Sequence, residues 1–285
     1  MDRTEPGLEH AVVDGVATVV ISNPAKRNAM TAAMWSALPG LLERLAADPA
    51  VGVLVLTGAG DTFCAGADIA SLRDPADDPQ ALAVAAEEAL AAFPRPTLAA
   101  IRGYCVGGGS QLAAACDLRF AEEGASFGVT PAKLGVVYAA SSTRRLVALT
   151  GPATAKHLLF SGELIDTARA LRTGLVDEVL PAGELDKRVE AYVRTLVARS
   201  RLTQAAAKEF AAGREDRDAY WAEQARRSGG GVEGGGGPGT ADTTPPPPPR
   251  PAPDRSGHHR TVRPCVRVTG SGGVTACGRR RRWSG

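Results

Sequence analysis

The sequence predicts an α/β fold, because strand-like apolar runs alternate with helical patterns and two of these runs end in glycine-rich turns. The run at 51–57 is continuously apolar, as a buried strand would be, and leads into a glycine-rich stretch at 58–68. The run at 97–102 leads into a second glycine-rich stretch at 103–110, which opens a predicted helix at 109–115. This repeated order of strand, turn and helix implies crossover connections.

Local signals predict further elements. A helix capped by Thr31 is expected to kink or break at Pro39-Gly40, because proline removes a backbone donor. A short helix is expected to begin after Asp166 and to end at Gly174. The other predicted elements are two strands joined by an Asp14-Gly15 hairpin turn at 8–13 and 16–21, strands at 118–121 and 175–180, and helices at 81–92, 184–199 and 202–227.

Composition divides the chain into three parts. Residues 1–195 form the predicted core and 196–228 a helical C-terminal region, whereas 229–285 is a tail rich in Gly, Pro and Arg that we expect to be disordered. The tail has about six positive charges in excess, so the formal net charge of +2 conceals an acidic remainder. Two interpretations of the tail stay open, a natural flexible extension and out-of-frame translation of a GC-rich gene. No aromatic residues alternate with its arginines, which argues against RNA binding.

Composition also favours the cytoplasm. The five cysteines include no CxxC pair, which indicates free thiols in a reducing compartment and no disulfide framework or metal site. The N-terminal residues contain no apolar signal segment, and no run has the length of a membrane span. The near-neutral charge gives no reason to expect nucleic acid or a membrane as partner.

The two glycine-rich turns are the predicted chemical centre. Glycine and alanine let the backbone approach a ligand closely, and the second turn opens a helix whose first amides are unpaired. Two such N–H groups directed at one point would stabilise a developing oxyanion. Similar turns also bind phosphate or permit tight packing, although neither turn has the spacing of a P-loop.

Five strings follow one another in the order found in a known family. They are NPAKRNAM at 23–30, LTGAGDTFCAGADI at 56–69, GYCVGGGSQLAAACDLRFA at 103–121, FGVTPAKLG at 127–135 and ARALRTGLVDEV at 168–179. The chain therefore resembles the enoyl-CoA hydratase/isomerase (crotonase) family over roughly residues 8–225. The resemblance implies a crotonase-like spiral of ββα units with a helical C-terminal region, which acts on acyl-CoA thioesters as a homotrimer or a dimer of trimers.

Carried over position by position, the resemblance implies a site with two parts. The oxyanion donors would be the backbone amides of Ala67 and Gly108. Coenzyme A would enter as part of the substrate, so we expect no separate cofactor and no metal. The CoA moiety would lie along a further set of residues, with Lys26 near phosphate. The set is Ala25, Lys26, Arg27, Ala65, Gly66, Asp68, Ile69 and Gly107.

The sequence departs from the family at both catalytic carboxylates. Family hydratases have a Glu three residues after the oxyanion glycine, where this chain has Gln111, and a second Glu where it has Pro131. Neither residue transfers a proton, which argues against two-carboxylate hydration and against base-catalysed isomerisation. The nearest acids by sequence are Asp68, Glu122 and Glu123, which we expect to lie on turns.

A shorter string suggests other chemistry. TPAKLGVVY at 130–138 is similar to the TPxxLGxxY stretch of methylmalonyl-CoA decarboxylases in this family, whose Thr and Tyr lie in the active site. Thr130 and Tyr138 would then orient a substrate carboxylate. Alternatively, both residues have only a structural role, Thr130 in a turn and Tyr138 as a half-buried aromatic. Three functions stay open: hydratase or isomerase, the family default; decarboxylase, which fits the missing carboxylates; and a CoA-ester binder without catalysis.

Overall fold

The computed structural model describes residues 5–71 and 78–228, and the predicted tail at 229–285 lies outside them. The strands in the described part are β1 (Gly7–Val13), β2 (Val16–Ser22), β3 (Val53–Gly58), β4 (Thr97–Ile101), β5 (Tyr104–Val106), β6 (Leu118–Glu122), β7 (Ser126–Gly128), β8 (Ile165–Asp166) and β9 (Glu178–Leu180). The helices are α1 (Ala32–Ala47), α2 (Pro79–Ala91), α3 (Gly108–Ala115), α4 (Pro131–Leu134), α5 (Ala140–Ser161), α6 (Thr167–Thr173), α7 (Leu185–Val197), α8 (Arg201–Ala211) and α9 (Asp218–Arg227).

These strands form two sheets that the chain visits in alternation. The larger sheet has the order β1-β2-β3-β4-β6-β9 and is parallel except for the first pair, and the smaller has the order β5-β7-β8. Thus β4 is followed by β5 and then α3, and β6 is followed by β7 and then α4. Each such turn places one strand in each sheet and then a helix, so the chain forms a spiral of ββα units.

Both faces of β3 are buried, which explains why its sequence is continuously apolar. Val53 and Val55 face a cluster of side chains that α7 covers, whereas Leu54 and Leu56 face the main core on the opposite side. Successive side chains on a strand point to opposite faces, so a strand covered on both faces needs apolar residues at every position. The cluster under α7 consists of Val53, Val55, Leu98, Ala100, Phe120, Leu185, Val189 and Val193.

Local turn and cap signals were reliable. Asp14 and Gly15 both have positive φ angles, of 49° and 81°, which is the geometry of the predicted two-residue hairpin. Asp166 caps α6 by accepting a hydrogen bond from the Arg169 amide, and Gly174 ends the helix in the left-handed region. These predictions are confirmed. They could be made from the sequence because only the chemistry of neighbouring residues determines such turns and caps.

Of the kink or break predicted at Pro39-Gly40, the break does not occur. Helix α1 is continuous from Ala32 to Ala47, with Thr31 as its cap. An interior proline costs a helix about 3 kcal/mol. Here one apolar face continues across the proline and is buried along its whole length, so packing outweighs this cost. The buried residues of that face are Met34, Trp35, Leu38, Leu41, Leu42 and Leu45.

The C-terminal helices differ from their predicted bounds. The predicted helix at 202–227 is divided into α8 and α9, and Gly213, with φ 76°, lies between them. Helix α7 extends on both sides of the predicted boundary at residue 195. The stretch α5 was not predicted, because its small and polar residues show no clear apolar period. It consists of two helices that meet at a kink at Gly151, whose φ of 75° and ψ of 162° are not helical. No helix within 5–71 and 78–228 has the length and apolarity needed to cross a bilayer.

We predict that Gly109→Ala destabilises the fold although alanine favours helices. A Cβ atom at residue 109 would lie 2.2 Å from the Cys64 carbonyl oxygen, so the start of α3 would have to move away from the first glycine-rich turn. We expect a loss of about 1–3 kcal/mol in the free energy of unfolding, measured by urea denaturation.

The control is Gly7→Ala, because a Cβ at Gly7 meets no heavy atom within 4 Å. This variant should unfold within about 0.5 kcal/mol of the wild type. Equal stabilities of the two variants would contradict the close backbone approach at Gly109.

Candidate active site

Three parallel strand segments end at the same edge of the smaller sheet. Cys64 pairs with Cys105 in parallel, and Cys105 pairs in parallel with Phe127 on β7. Because parallel segments in register end together, the turns after Cys64, Val106 and Gly128 leave the same edge. Sequence-distant stretches at 65–68, 107–111 and 130 are thereby brought to one place.

The first turn leaves the Ala67 amide free. The Met30 amide donates to the Gly66 carbonyl at 2.8 Å, and the Asp68 amide donates to the Met30 carbonyl at 2.8 Å. This pairing uses the groups on either side of Ala67 and leaves its own N–H without an acceptor in the described part of the chain. The described chain has no cis peptide bonds, so this N–H points opposite to the Gly66 carbonyl and away from Met30.

The second turn leaves the Gly108 amide free. The Gly107 amide donates to the Gly128 carbonyl at 2.8 Å, and the Gly107 carbonyl accepts from the Gln111 amide at 3.0 Å. Gly108 is the first residue of α3, so its N–H is one of the donors that a helix leaves unpaired at its start. It points out of the helix at the positive end of the dipole, and no acceptor within 5–71 or 78–228 meets it.

The two turns touch through their backbones. A Cβ atom on Gly66 would lie 3.6 Å from the Gly108 nitrogen, and a Cβ atom on Gly107 would lie 3.8 Å from Gly66 Cα. A Cβ atom on Gly108 would be 2.7 Å from the buried ring of Trp35 and 3.6 Å from the Gly66 carbonyl carbon, which is bonded to the Ala67 nitrogen. Of these glycines, Gly108 leaves no room for a side chain, because 2.7 Å is too short for a van der Waals contact, whereas 3.6 and 3.8 Å are ordinary contact distances.

The loop at 25–27 packs against the first turn. The Arg27 carbonyl accepts from the Ala65 amide at 3.0 Å, and Lys26 Nζ lies 2.9 and 2.8 Å from the two carboxylate oxygens of Asp68. Arg27 has a φ of 51° and extends its guanidinium over the exposed ring of Tyr104. Most residues predicted to contact CoA are thus neighbours, and Lys26 is half exposed although it is paired.

The remaining predicted residues occupy nearby positions. Ala25 is exposed on a short 3-10 helix, and Ile69 begins another one directly after Asp68. Gln111 lies one helical turn beyond Gly108 and is buried, and Thr130 follows β7, with its hydroxyl 3.7 Å from a Cβ atom on Gly107.

Burial of the Tyr138 hydroxyl raises its pKa well above the usual value, and the negative charge of Glu87 raises it further. The opposing effect of Arg145 is smaller. Tyr138 is therefore a neutral phenol over the whole physiological range, which can donate a hydrogen bond but cannot act as a phenolate base.

Sequence reasoning missed Glu87, an acid on α2 that is fully buried behind Gln111. The Gln111 side-chain amide donates to the Glu87 carboxylate at 2.5 Å, and Ser142 and Arg145 from α5 contact the same carboxylate. The sequence contained one signal that Glu87 would be buried. Glu87 follows Ala83 by four residues and precedes Leu90 by three, so it lies on the apolar face of α2.

The acids nearest by sequence have other partners. Asp68 accepts from Lys26 and from the Ala70 amide, which holds the turn. Glu122 accepts from the Gly183 amide and lies 3.5 Å from Arg102, at the end of β6. Both carboxylates therefore have structural partners in the described chain.

The model of the enoyl-CoA hydratase/isomerase family matches residues 12–226. The chain belongs to this family. A crotonyl-CoA hydratase from Syntrophomonas wolfei is 34% identical over 203 residues, which cover 68% of this chain and 78% of that protein. The predicted family and enzyme class are confirmed.

Solved structures of family members share the fold. A crystal structure of an enoyl-CoA hydratase/isomerase family member matches with a TM-score of 0.73 and 39% identity, over 78% of this chain and 89% of that one. The enoyl-CoA hydratase from Bacillus anthracis matches with a TM-score of 0.69 and 28% identity, over 77% and 89% of the two chains. The predicted crotonase-like α/β fold is confirmed.

We predict a pH-dependent effect of Cys64, whose Sγ accepts from the Gly66 amide at 3.4 Å within the first turn. Burial raises the pKa of the Cys64 thiol to about 12, whereas an unfolded thiol has a pKa of about 8.5. Above about pH 9 the unfolded chain loses this proton first, so the contribution of Cys64 to the free energy of unfolding falls by about 1.4 kcal/mol per pH unit.

Cys64→Ala lacks this effect, so its stability deficit relative to the wild type should shrink between pH 9 and 11 at about that rate. Ser110→Ala is the control, because it also removes one buried polar atom but no titrating group. Its deficit should stay constant, as measured by urea denaturation across pH. A Cys64→Ala deficit that does not change with pH would contradict the burial of the thiol.

Proposed function

We propose that this family member binds an acyl-CoA thioester with its carbonyl oxygen between the amides of Ala67 and Gly108, and stabilises the enolate that forms there. The observation that supports the proposal is the contact between two turns that each leave one N–H without an acceptor in the described chain. Donors fixed in this way need no reorganisation as negative charge develops on the oxygen. The acyl-CoA substrate itself is consistent with the family.

The proposed binding of CoA uses the contacts of the loop at 25–27. Lys26 already pairs with Asp68 and remains half exposed, so its ammonium can accept a second anionic partner such as a phosphate without leaving the carboxylate. The homotrimer or dimer of trimers implied by the resemblance and the cytoplasmic location favoured by the composition stay predictions.

Ala67→Pro tests the proposal, because proline removes the N–H while no internal hydrogen bond of the described chain depends on it. We expect turnover of the best substrate in a panel of enoyl-, acyl- and malonyl-type CoA esters to fall about 100- to 1000-fold. Ala67→Gly is the matched control, since it keeps the N–H and removes only the methyl group.

Circular dichroism and thermal unfolding check that both variants fold. Equal kcat values for folded Ala67→Pro and the wild type would refute the oxyanion role of this amide. Binding of the esters without turnover of any of them by the wild type would instead favour a CoA-ester binder.

Decarboxylation is a second candidate, favoured by two hydroxyls with no partner in the described chain. The side-chain hydroxyls of Thr130 and Tyr138 make no hydrogen bond there, although the Thr130 backbone carbonyl accepts from the Lys133 amide, and Tyr138 stays neutral. A malonyl-type thioester yields the enolate by breaking its own bond to CO₂, so this reaction needs no general base, which Gln111 and Pro131 do not supply. The two hydroxyls would orient the departing carboxylate, and the enolate carbon would then take a proton from water.

Methylmalonyl-CoA and crotonyl-CoA separate the candidates. We expect methylmalonyl-CoA to be decarboxylated by the wild type and about 10-fold or more slowly by Tyr138→Phe, which removes one orienting hydrogen bond without changing the packing. Tyr104→Phe is the control, because its ring lies beside Arg27 at the other part of the site. Turnover of crotonyl-CoA alone would refute decarboxylation and favour the family default.

A further inference from the structure

Four side chains from three helices form a buried polar cluster behind the site. Glu87 from α2 is 0% exposed and lies at its centre. Gln111 Nε2 from α3 donates to Glu87 Oε2 at 2.5 Å and to Ser142 Oγ at 3.0 Å. Ser142 Oγ donates to Glu87 Oε2, and Arg145 pairs with Glu87 Oε1. A buried carboxylate is tolerated here because both of its oxygens have donors and a cation offsets its charge.

This cluster determines which way the Gln111 amide points. An ionised carboxylate only accepts hydrogen bonds, so the group of Gln111 that faces Glu87 has to be the NH₂ and not the carbonyl. The chemistry of the neighbour therefore fixes an assignment that the shape of the amide alone would leave open. The Gln111 carbonyl oxygen, Oε1, is consequently directed away from Glu87.

The Gln111 carbonyl oxygen opens onto solvent-accessible space. Within 5–71 and 78–228, the buried side-chain nitrogen or oxygen atoms without a partner are Arg119 Nε and His157 Nε2. Gln111 Oε1 also has no partner in these residues, yet it is not among the sealed atoms. Gln111 lies three residues after Gly108 on α3, so its side chain starts within one helical turn of the proposed oxyanion donor.

Glu87 itself does not act on a substrate. Its carboxylate is sealed from solvent, and Gln111, Ser142 and Arg145 occupy its oxygens. A general base has to reach the proton that it removes, directly or through one water. The carboxylate can therefore influence the site only through the groups that it holds.

We propose that Glu87 is a positioning residue that holds Gln111 with its NH₂ group buried and its carbonyl oxygen facing the acyl chain. The site then presents a neutral hydrogen-bond acceptor at the place where family hydratases have a carboxylate. This inference rests on the proposed function, because it assigns a polarity to the same site. An acyl chain that carries a hydroxyl group there gains a hydrogen bond, whereas the corresponding unsubstituted chain does not.

Nuclear magnetic resonance tests the positioning without any need for turnover. The chain has four glutamines, so protein labelled with ¹⁵N-glutamine gives four side-chain NH₂ signals, and Gln111→Glu identifies the one that disappears. We expect that signal to be shifted downfield and slow to exchange with solvent, because the NH₂ donates to a buried carboxylate. Glu87→Gln adds a fifth glutamine signal and should move the Gln111 signal towards the position of an exposed glutamine.

The matched control is Glu88→Gln. Glu88 is the next residue on α2, is half exposed and lies 3.3 Å from the same arginine, Arg145. This variant removes one negative charge beside Arg145 without touching Gln111, so the Gln111 signal should not change. A Gln111 NH₂ that resembles an exposed amide in the wild type, or that responds equally to both variants, would overturn the proposal.

A matched pair of ligands tests the polarity of the site. We expect the wild type to bind 3-hydroxybutyryl-CoA about 5-fold more tightly than butyryl-CoA, measured by calorimetry, because only the hydroxylated chain can donate a hydrogen bond to the Gln111 carbonyl oxygen. In Glu87→Gln this preference should fall towards unity, with little change in the affinity for butyryl-CoA. A preference that survives in folded Glu87→Gln would refute the positioning role.

An exchange of the two residues separates positioning from simple stabilisation. The double variant Glu87→Gln/Gln111→Glu keeps one carboxylate and one amide in the same cluster, so it should regain most of the thermal stability that Glu87→Gln loses. It places a carboxylate oxygen towards the acyl chain, so kcat for the preferred substrate should change about 10-fold or more while KM changes little. Wild-type kcat in a double variant of restored stability would overturn the proposal.

The outcomes also distinguish this inference from the proposed function. If the wild type turns over no CoA ester but the NMR signal and the ligand preference behave as expected, the enolate chemistry is wrong and the positioning of Gln111 stands. If turnover depends on the Ala67 amide but Glu87→Gln leaves the signal and the preference unchanged, the positioning is wrong and the oxyanion site stands.

Discussion

The close backbone contact between the turns at 64–68 and 105–109 is the constraint on which the site depends. It requires glycine where the chains meet, and it requires parallel strand segments that end together so that both turns leave one edge. The β-bridge at Met30 and the start of α3 then use the neighbouring polar groups and leave the N–H of Ala67 and Gly108 without acceptors in the described chain. The unpaired donors are a product of the fold, since no side chain has to supply them.

The electrostatics of the site differ from those of a two-carboxylate enzyme. The carboxylate of Glu87 lies one layer deeper than Gln111, where Arg145 offsets its charge and the neutral amide of Gln111 donates to it. Its charge still contributes to the raised pKa of Tyr138, which keeps that phenol protonated. The groups that face the acyl chain in the proposed function are therefore neutral: two amides, one side-chain carbonyl and two hydroxyls.

Short-range chemistry and the family strings were sufficient to predict most of this arrangement. The Asp14-Gly15 turn, the Thr31 and Asp166 caps and the two glycine-rich turns all follow from neighbouring residues. The continuity of α1 across Pro39 did not follow, because it depends on packing along a whole helix face. The family strings predicted the α/β spiral, which the structure and the solved relatives confirm.

The cluster around Glu87 could not be predicted from the sequence. Glu87 and Gln111 are 24 residues apart, and Ser142 is a further 31 residues along the chain. Only the packing of α2, α3 and α5 brings these side chains together, and α5 has no periodic signal that would predict it. The acids near the motifs are Asp68, Glu122 and Glu123, of which the first two have structural partners in the described chain and the third is exposed.

If the amides of Ala67 and Gly108 polarise one thioester carbonyl, the infrared spectrum of a bound thioester measures the effect directly. With crotonyl-CoA labelled by ¹³C at the carbonyl carbon, difference spectra of the complex isolate the stretching band of that bond. Binding to the wild type and to Ala67→Gly should shift the band to lower frequency, because hydrogen bonds to the oxygen weaken the double bond. A bound carbonyl with the frequency of the free ester would contradict the account.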